Sequence, residues 1–146
     1  MRRYVFGTAL SALILSSVSS ASPFLATASA QSSYDSWIGK YPFIAIEDPA
    51  LKPKFQEVLK GEFDSFSGRL QVATAIARSG DFLFGKGCIP HNCGDLEAAF
   101  TIDVRNGAVI AVEFSRTSAD RFVLYGAAKP DQLPAPLQDW MRTRDK

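Results

Sequence analysis

The stretch AAFTIDVRNGAVIAVEF, residues 98–114, decides the fold of this 146-residue chain. Apolar residues alternate with polar or small ones on both sides of residues 105–107, and this period of two is typical of β-strands. The Arg-Asn-Gly triplet between the two runs is a turn signal, and Gly107 supplies the left-handed backbone that such a turn needs. The sequence therefore predicts an antiparallel β-hairpin over this stretch.

Two turn lengths compete in this hairpin, and they differ in strand register. A two-residue Asn-Gly turn would place Glu113 opposite Phe100 and so bring a charge onto the apolar face. A three-residue turn keeps apolar side chains opposite one another, because a slip of one residue moves a whole strand's side chains to the other face. The alternation therefore predicts the pairs Val104 with Ala108, Ile102 with Ile110, and Phe100 with Val112.

Upstream of this hairpin, the sequence predicts helices and then further strands. Apolar residues recur at helical spacing between positions 51 and 59, which predicts regular helix from Pro53 to Lys60. Residues 62–78 fit a short helix followed by a strand, and the Ser-Gly-Asp turn at 79–81 leads into the next strand. The Gly-Lys-Gly triplet at 85–87 is interpreted as the end of that strand, just before the first cysteine.

The two ends of the domain complete the predicted architecture. Residues 122–125 are typical of another strand, and the apolar spacing after residue 136 predicts a short C-terminal amphipathic helix. The predicted class is α+β, a single domain with an antiparallel sheet of about five strands and short flanking helices. Apolar residues near the start are expected to tie that arm to the core: Trp37, Ile38, Tyr41, Phe43, Ile44 and Ile46.

The first thirty residues have the pattern of a secretory signal peptide. An arginine pair precedes an apolar run over residues 4–15, and a small-x-small cleavage pattern ends at Ala30. The run is too short to cross a hydrocarbon core, which needs about twenty residues. We therefore expect a cleaved signal peptide at 1–30, a mature domain at 31–146 and a periplasmic location.

The charge of the chain excludes one class of partner. There are 16 Lys and Arg against 15 Asp and Glu, and loss of the two signal-peptide arginines leaves the mature domain close to neutral. Since no basic cluster occurs, nothing in the sequence provides the electrostatic footprint of a nucleic-acid-binding protein. No second long apolar span follows, so we expect no membrane association once the signal peptide is removed.

The chain has only two cysteines, Cys88 and Cys93, and one histidine, which lies between them in the sequence Cys-Ile-Pro-His-Asn-Cys. In an oxidising compartment so close a pair predicts a disulfide. Closing so short a ring stabilises the fold by only about 2 kcal/mol, so its main effect would be to fix the shape of the loop. Pro90 restricts the backbone further. We therefore expect His91 to project from a stiff, small knob.

Other functions for this loop are less well supported by the residue types. The disulfide could be a plain staple that carries an exposed histidine. A zinc site would need a fourth ligand and free thiolates, and a thiol-redox motif has two residues between its cysteines rather than four. Catalysis lacks a nucleophile motif and paired carboxylates. We expect neither an enzyme nor a bound metal or cofactor.

The cysteine loop resembles that of a known family. A short α+β domain with an export signal and a Cys-x-Pro-His-x-Cys-Gly loop is similar to the inhibitor of vertebrate lysozyme family, called Ivy, whose loop reads Cys-Lys-Pro-His-Asp-Cys. The likeness covers about residues 37–114. It implies a loop that enters the active-site cleft of a c-type lysozyme, with His91 meeting the catalytic carboxylates and Pro90 and the disulfide as support. Two loop positions differ from the family's sequence, Ile89 and Asn92.

The resemblance leaves three functions open. The first is a periplasmic inhibitor of c-type lysozyme that protects peptidoglycan, and a homodimer is possible. The second is a regulator of the cell's own peptidoglycan-cleaving enzymes, the lytic transglycosylases, through the same loop. The third is a structural or ligand-binding domain whose loop no longer inhibits. The intact histidine and cysteines favour the first two functions, whereas Ile89 and Asn92 favour the third.

Overall fold

The computed structural model describes residues 33–127 and 129–145, and its centre is a five-stranded antiparallel sheet. Each strand pairs with its neighbour in sequence, so the sheet is a simple meander that confirms the predicted α+β class. The predicted signal peptide, residues 1–30, lies outside the described residues. The strands are β1 (Val72–Ser79), β2 (Phe82–Cys88), β3 (Leu96–Asp103), β4 (Val109–Ser115) and β5 (Phe122–Tyr125).

Short helices precede and follow the sheet. The second helix confirms the helix predicted from Pro53, which lies in its first turn, where a backbone N–H has no helical acceptor and proline costs nothing. Short 3-10 turns at Ser33–Trp37, Lys60–Glu62 and Pro130–Gln132 join or flank the elements. The helices are α1 (Pro42–Ala45), α2 (Lys52–Leu59), α3 (Phe63–Gly68) and α4 (Ala135–Arg142).

The larger apolar core lies between the first three helices and one face of the sheet. Phe55 of α2 packs edge-on against Phe100 of β3, with ring centroids 4.9 Å apart. Both rings are completely buried, and losing either would cost about 3–5 kcal/mol of stability. The other fully buried large side chains of this layer are Ile46, Leu51, Leu59, Phe66, Leu70, Ile76, Leu83 and Ile102.

A second, smaller core covers the opposite face of the sheet. Leu137 and Trp140 of α4 pack there with Val112 and Phe114 of β4. The predicted amphipathic C-terminal helix is therefore confirmed, and its apolar stripe is buried. The central strands β3 and β4 are consequently covered on both faces, so that nearly all of their residues are buried.

The predicted register of the β3–β4 hairpin is wrong by one residue. The structure pairs Ile102 with Val109 and Phe100 with Ala111, across a four-residue turn at 104–107. The prediction assumed one apolar face, whereas both faces are buried, so the two strands do not need to match all their large side chains. Gly107 does adopt the expected positive φ, 72°.

Side-chain hydrogen bonds explain the longer turn. The carboxylate of Asp103 accepts a hydrogen bond from the backbone N–H of Arg105 at 2.9 Å. The side-chain oxygen of Asn106 accepts one from the N–H of Ala108 at 2.8 Å. Short polar side chains often stabilise turns in this way, and no alternation of apolar residues reveals it.

Glu113 occupies the apolar face that the prediction had kept free of charge. It is 6% exposed, and its Oε1 lies 3.5 Å from Nε of Arg69. Burial raises the pKa of the Glu113 carboxyl, while Arg69 and hydrogen bonds from Tyr125 and Ser65 oppose that rise. Burial of Tyr125 itself, together with the charge of Glu113, raises the pKa of Tyr125 to about 12. The fold therefore accepts a buried charge by surrounding it with polar groups.

Two other sequence interpretations need correction. The Gly-Lys-Gly triplet does not end a strand, since β2 continues through it to Cys88, and a Cβ atom on Gly85 would lie 2.5 Å from the ring of Phe100. Of the six apolar residues near the start, Ile38, Tyr41 and Ile44 are exposed rather than anchored in the core. Tyr41 stacks on Phe43 instead.

No helix within the described ranges is long and apolar enough to cross a membrane.

Candidate binding loop between β2 and β3

The predicted disulfide is present and closes the connection between β2 and β3. Cys88 is the last residue of β2, it is buried, and its backbone pairs with Val72 on one side and Glu97 on the other. Cys93 is exposed. The bridge therefore fastens the far side of the loop directly to the sheet. Ile89 prolongs the hairpin by one hydrogen bond, from its N–H to the carbonyl of Leu96 at 3.2 Å.

The four residues between the cysteines form a tight turn. The N–H of Asn92 donates to the carbonyl of Ile89 at 3.0 Å, Pro90 is the second residue, and His91 is the third with φ of 66°. Proline second and a positive φ third define a type II turn, whose third position usually carries glycine or asparagine. Only Lys60 and His91, among the described non-glycine residues, have positive φ.

The turn places the histidine side chain in solvent. Pro90, His91 and Asn92 are all exposed, whereas Ile89 is half-buried against the base of the loop. A side chain in the left-handed region costs about 1–2 kcal/mol relative to glycine. The loop therefore carries an imidazole at a position where glycine would be less strained. Such strain is often found at functional sites.

The base of the loop is fixed by Arg116, in the turn between β4 and β5. Its side-chain Nε donates to the carbonyl of Gly94 at 3.0 Å, and the same nitrogen forms an ion pair with the carboxylate of Asp95 at 2.9 Å. Its backbone N–H donates to the carbonyl of Asp95 at 2.9 Å. Gly94, with φ of 97°, allows the chain to turn between the disulfide and these contacts. Loop and neighbouring turn are thus held together.

A second brace joins the loop to the C-terminal helix. The buried carboxylate of Glu97 accepts the N–H of Gly94 at 2.8 Å and the Nε of Arg144 at 2.6 Å. The guanidinium of Arg144 also lies over the ring of Trp140, 5.6 Å from its centroid. Because both carboxylate oxygens are used, Glu97 is a buried charge with a complete set of partners.

Metal chemistry has no structural basis at this loop. Across residues 33–127 and 129–145, no group of three histidine, cysteine, aspartate or glutamate side chains is arranged to hold a metal ion. Both cysteine sulfurs are in the disulfide. What the geometry provides is a stiff projection with one imidazole at its tip.

Comparison with protein families decides the relationship. The family described as inhibitor of vertebrate lysozyme (Ivy) matches residues 50–146, which run from the start of α2 through the loop to α4. The chain belongs to the Ivy family. No curated protein and no solved structure matches it. The Ivy match begins later than the predicted resemblance and continues beyond it through α4.

The sequence revealed the tip of this Ivy loop but not its base. The spacing of the cysteines and the single histidine predicted the loop residues Ile89, Pro90, His91 and Asn92. Nothing local identified Arg116 or Glu97 as its supports. Arg116 is one of many charged surface residues, and its role depends on the β4–β5 turn lying beside the loop. Glu97 could have been suspected only as a charge inside an apolar strand.

Proposed function

We propose that this Ivy-family protein is an exported inhibitor of c-type lysozyme that acts in the periplasm and is not an enzyme. In this proposal, residues 89–92 enter the glycosidase cleft with His91 foremost. The observation that carries it is the exposed imidazole on a strained type II turn inside a disulfide ring, in a chain that belongs to a family of lysozyme inhibitors.

The chemistry of the target fits an imidazole. Lysozyme cleaves glycosidic bonds with two carboxyl groups, one of them protonated and the other ionised. Those two groups flank the bond that is cleaved, so a donor between them occupies the substrate's place. An imidazole has two nitrogens and can hydrogen-bond to both carboxyl groups at once. His91 would therefore block the cleft and engage its catalytic residues in one step.

The stiffness of the loop supports the same role. The bridge, the turn hydrogen bond and the braces from Arg116 and Glu97 leave residues 89–92 little freedom to lose on binding. An ordered loop avoids a cost of about 0.5–1.5 kcal/mol for each side chain that binding would otherwise immobilise. A rigid projection is therefore an efficient way to fill a cleft.

Two side chains of the loop weaken its fit to lysozyme, while its intact histidine and cysteines also suit a second candidate target. Ile89 and Asn92 are uncharged where the family's loop has a lysine and an aspartate. An apolar side chain facing an acidic cleft loses a charge-assisted contact of about 1–3 kcal/mol. The same loop could then inhibit the cell's lytic transglycosylases instead. These also cleave peptidoglycan, so the exposed histidine would keep its role.

Lysis of a cell-wall suspension by c-type lysozyme tests the proposal, using protein purified after export. Wild type should inhibit, and His91→Asn should lose inhibition by at least tenfold, because asparagine tolerates positive φ but lacks the imidazole. His91→Gly should also lose inhibition while its melting temperature stays equal or rises, since glycine relieves the backbone strain.

Two results would contradict parts of this proposal. If His91→Asn inhibited lysozyme as strongly as wild type does, the histidine would be excluded as the central contact. Failure of the folded wild type to inhibit lysozyme would exclude that target, and the same variants should then be measured against lytic transglycosylases. N-terminal sequencing of the periplasmic protein tests the export step, with a start next to Ala30 as the expected result.

A further inference from the structure

A groove runs along the face of the sheet that α4 covers only in part. The helix packs over β3 and β4 and reaches Phe84 of β2, but it leaves the same face of β1 and the rest of β2 uncovered. Two depressions follow that open strip, of about 280 and 300 Å³. Cys93 of the disulfide loop lines the first and Trp140 of α4 lines the second, while Lys86 of β2 lines both. The groove thus leads from the helix to the loop.

The groove has one cation without a partner. Lys86 is half-buried, and no ion pair or hydrogen bond joins its ammonium group to another residue in the part of the chain that the structure describes. The other charges along the groove are paired, Arg144 with Glu97 and Asp139 with Arg142. Lys86 therefore leaves the groove with an excess positive charge, next to the loop.

The size of the loop requires a second contact surface. Stable protein complexes bury roughly 1,200–2,000 Å² in total, far more than a four-residue turn can provide. The groove begins at the disulfide itself, and Val72 at its edge is 48% exposed, so it offers apolar surface beside the unpaired charge. It is continuous with the loop that the proposed function places in a cleft.

We propose that this groove receives an acidic segment at the lip of the inhibited glycosidase, with a carboxylate paired to Lys86. This inference rests on the proposed function of the loop and adds a second contact to it. A carboxylate is the partner that an unpaired ammonium selects, and a half-buried pair is weakened by solvent less than an exposed one. The loop would then block the catalytic centre while the groove fixes the inhibitor's orientation.

The test is the dissociation constant of the exported protein with c-type lysozyme, measured by calorimetry at several salt concentrations. Lys86→Met keeps the aliphatic stem and should weaken binding about tenfold, with a shallower dependence on salt. Lys86→Glu should weaken it further, because it sets two carboxylates against each other. Lys86→Arg should bind like wild type.

Lys60→Glu provides the matched control. It makes the same change of charge on an exposed residue of the turn after α2, on the opposite face of the sheet. Its affinity should stay within about twofold of wild type, and melting curves of all variants establish that they fold.

The outcomes separate the two proposals. Unchanged affinity in Lys86→Met and Lys86→Glu, alongside loss of binding in His91→Asn, would exclude the groove and leave the loop intact. Equal losses in Lys86→Glu and Lys60→Glu would also exclude it, because only the net charge would then matter. Absence of binding by folded wild type would contradict the function itself, and the groove proposal with it.

Discussion

At the scale of single residues, the protein buries a carboxyl group, that of Glu113, which would be strongly unfavourable in a core without polar neighbours. Glu113 faces the larger core and is nearly inaccessible to solvent. The groups around it are Arg69, Tyr125, Ser65 and the like charge of Glu62. Desolvation is the largest influence, so the pKa of Glu113 lies above its ordinary value of 4.5 in the folded protein.

The raised pKa of Glu113 predicts a pH dependence of stability. The folded state binds more protons than the unfolded state between pH 4.5 and the folded pKa, so this group favours folding most at low pH and loses that contribution as pH rises through its folded pKa. A glutamine does not titrate, so the stability of Glu113→Gln does not fall with rising pH through this group. The variant's free energy of unfolding relative to wild type should therefore rise as the pH increases from 4.5 through the raised pKa of folded Glu113.

Urea titrations at several pH values measure this difference, and taking it between variant and wild type cancels the other carboxyl groups. Glu57→Gln, an exposed residue of α2, is the matched control and should show little trend. A difference for Glu113→Gln that stays constant with pH would contradict the assignment, because it would mean that the carboxyl titrates alike in both states.

At the scale of elements, the structure confirms the helices and strands that apolar periodicity predicted. It corrects the hairpin register, which depends on how the second face of the sheet is covered. The α2 helix and the β3–β4 hairpin followed from the spacing of their own apolar residues. The hairpin register did not, because the prediction treated β4 as apolar on one face, whereas α4 buries its second face. The loop tip was visible for a local reason, while its braces join residues distant in sequence.

The packing of β2 on β3 shows what the glycines of β2 do. The ring of Phe100 lies over Gly85, its cross-strand partner, and is itself held by Phe55. Gly85→Ala should therefore destabilise the fold by about 1–3 kcal/mol, because the ring has no space to move. Denaturant unfolding measures this loss.

Gly68→Ala is the control for that substitution. A Cβ atom there meets nothing within 4 Å, and the residue ends α3 without a positive φ. The change should stabilise the protein by about 0.5–1 kcal/mol. A neutral Gly85→Ala would mean that the Phe100 ring is free to shift, contrary to its complete burial.

On the scale of the whole molecule, the loop is a small projection on a rigid base. The sheet holds it through Cys88, the β4–β5 turn through Arg116, and the C-terminal helix through the pair of Glu97 with Arg144. None of these braces passes through the tip of the loop. The fold and the shape of the tip are therefore separable properties.

Reduction of the disulfide should separate them experimentally. The bridge closes a ring between cysteines five positions apart, so its loss should lower the free energy of unfolding by only about 2 kcal/mol. Without the bridge, the turn that holds His91 at positive φ would no longer be fixed at Cys93. Leaving that conformation would relieve the backbone strain at His91. Inhibition should thus fall at least tenfold while the sheet stays folded.

Melting curves and lysozyme assays with and without reductant measure both effects, and the Cys88→Ser, Cys93→Ser double variant controls for the reductant's effect on lysozyme. Full inhibition by that variant would mean that the type II turn holds its shape without the bridge, and that Arg116 and Glu97 alone make the loop stiff.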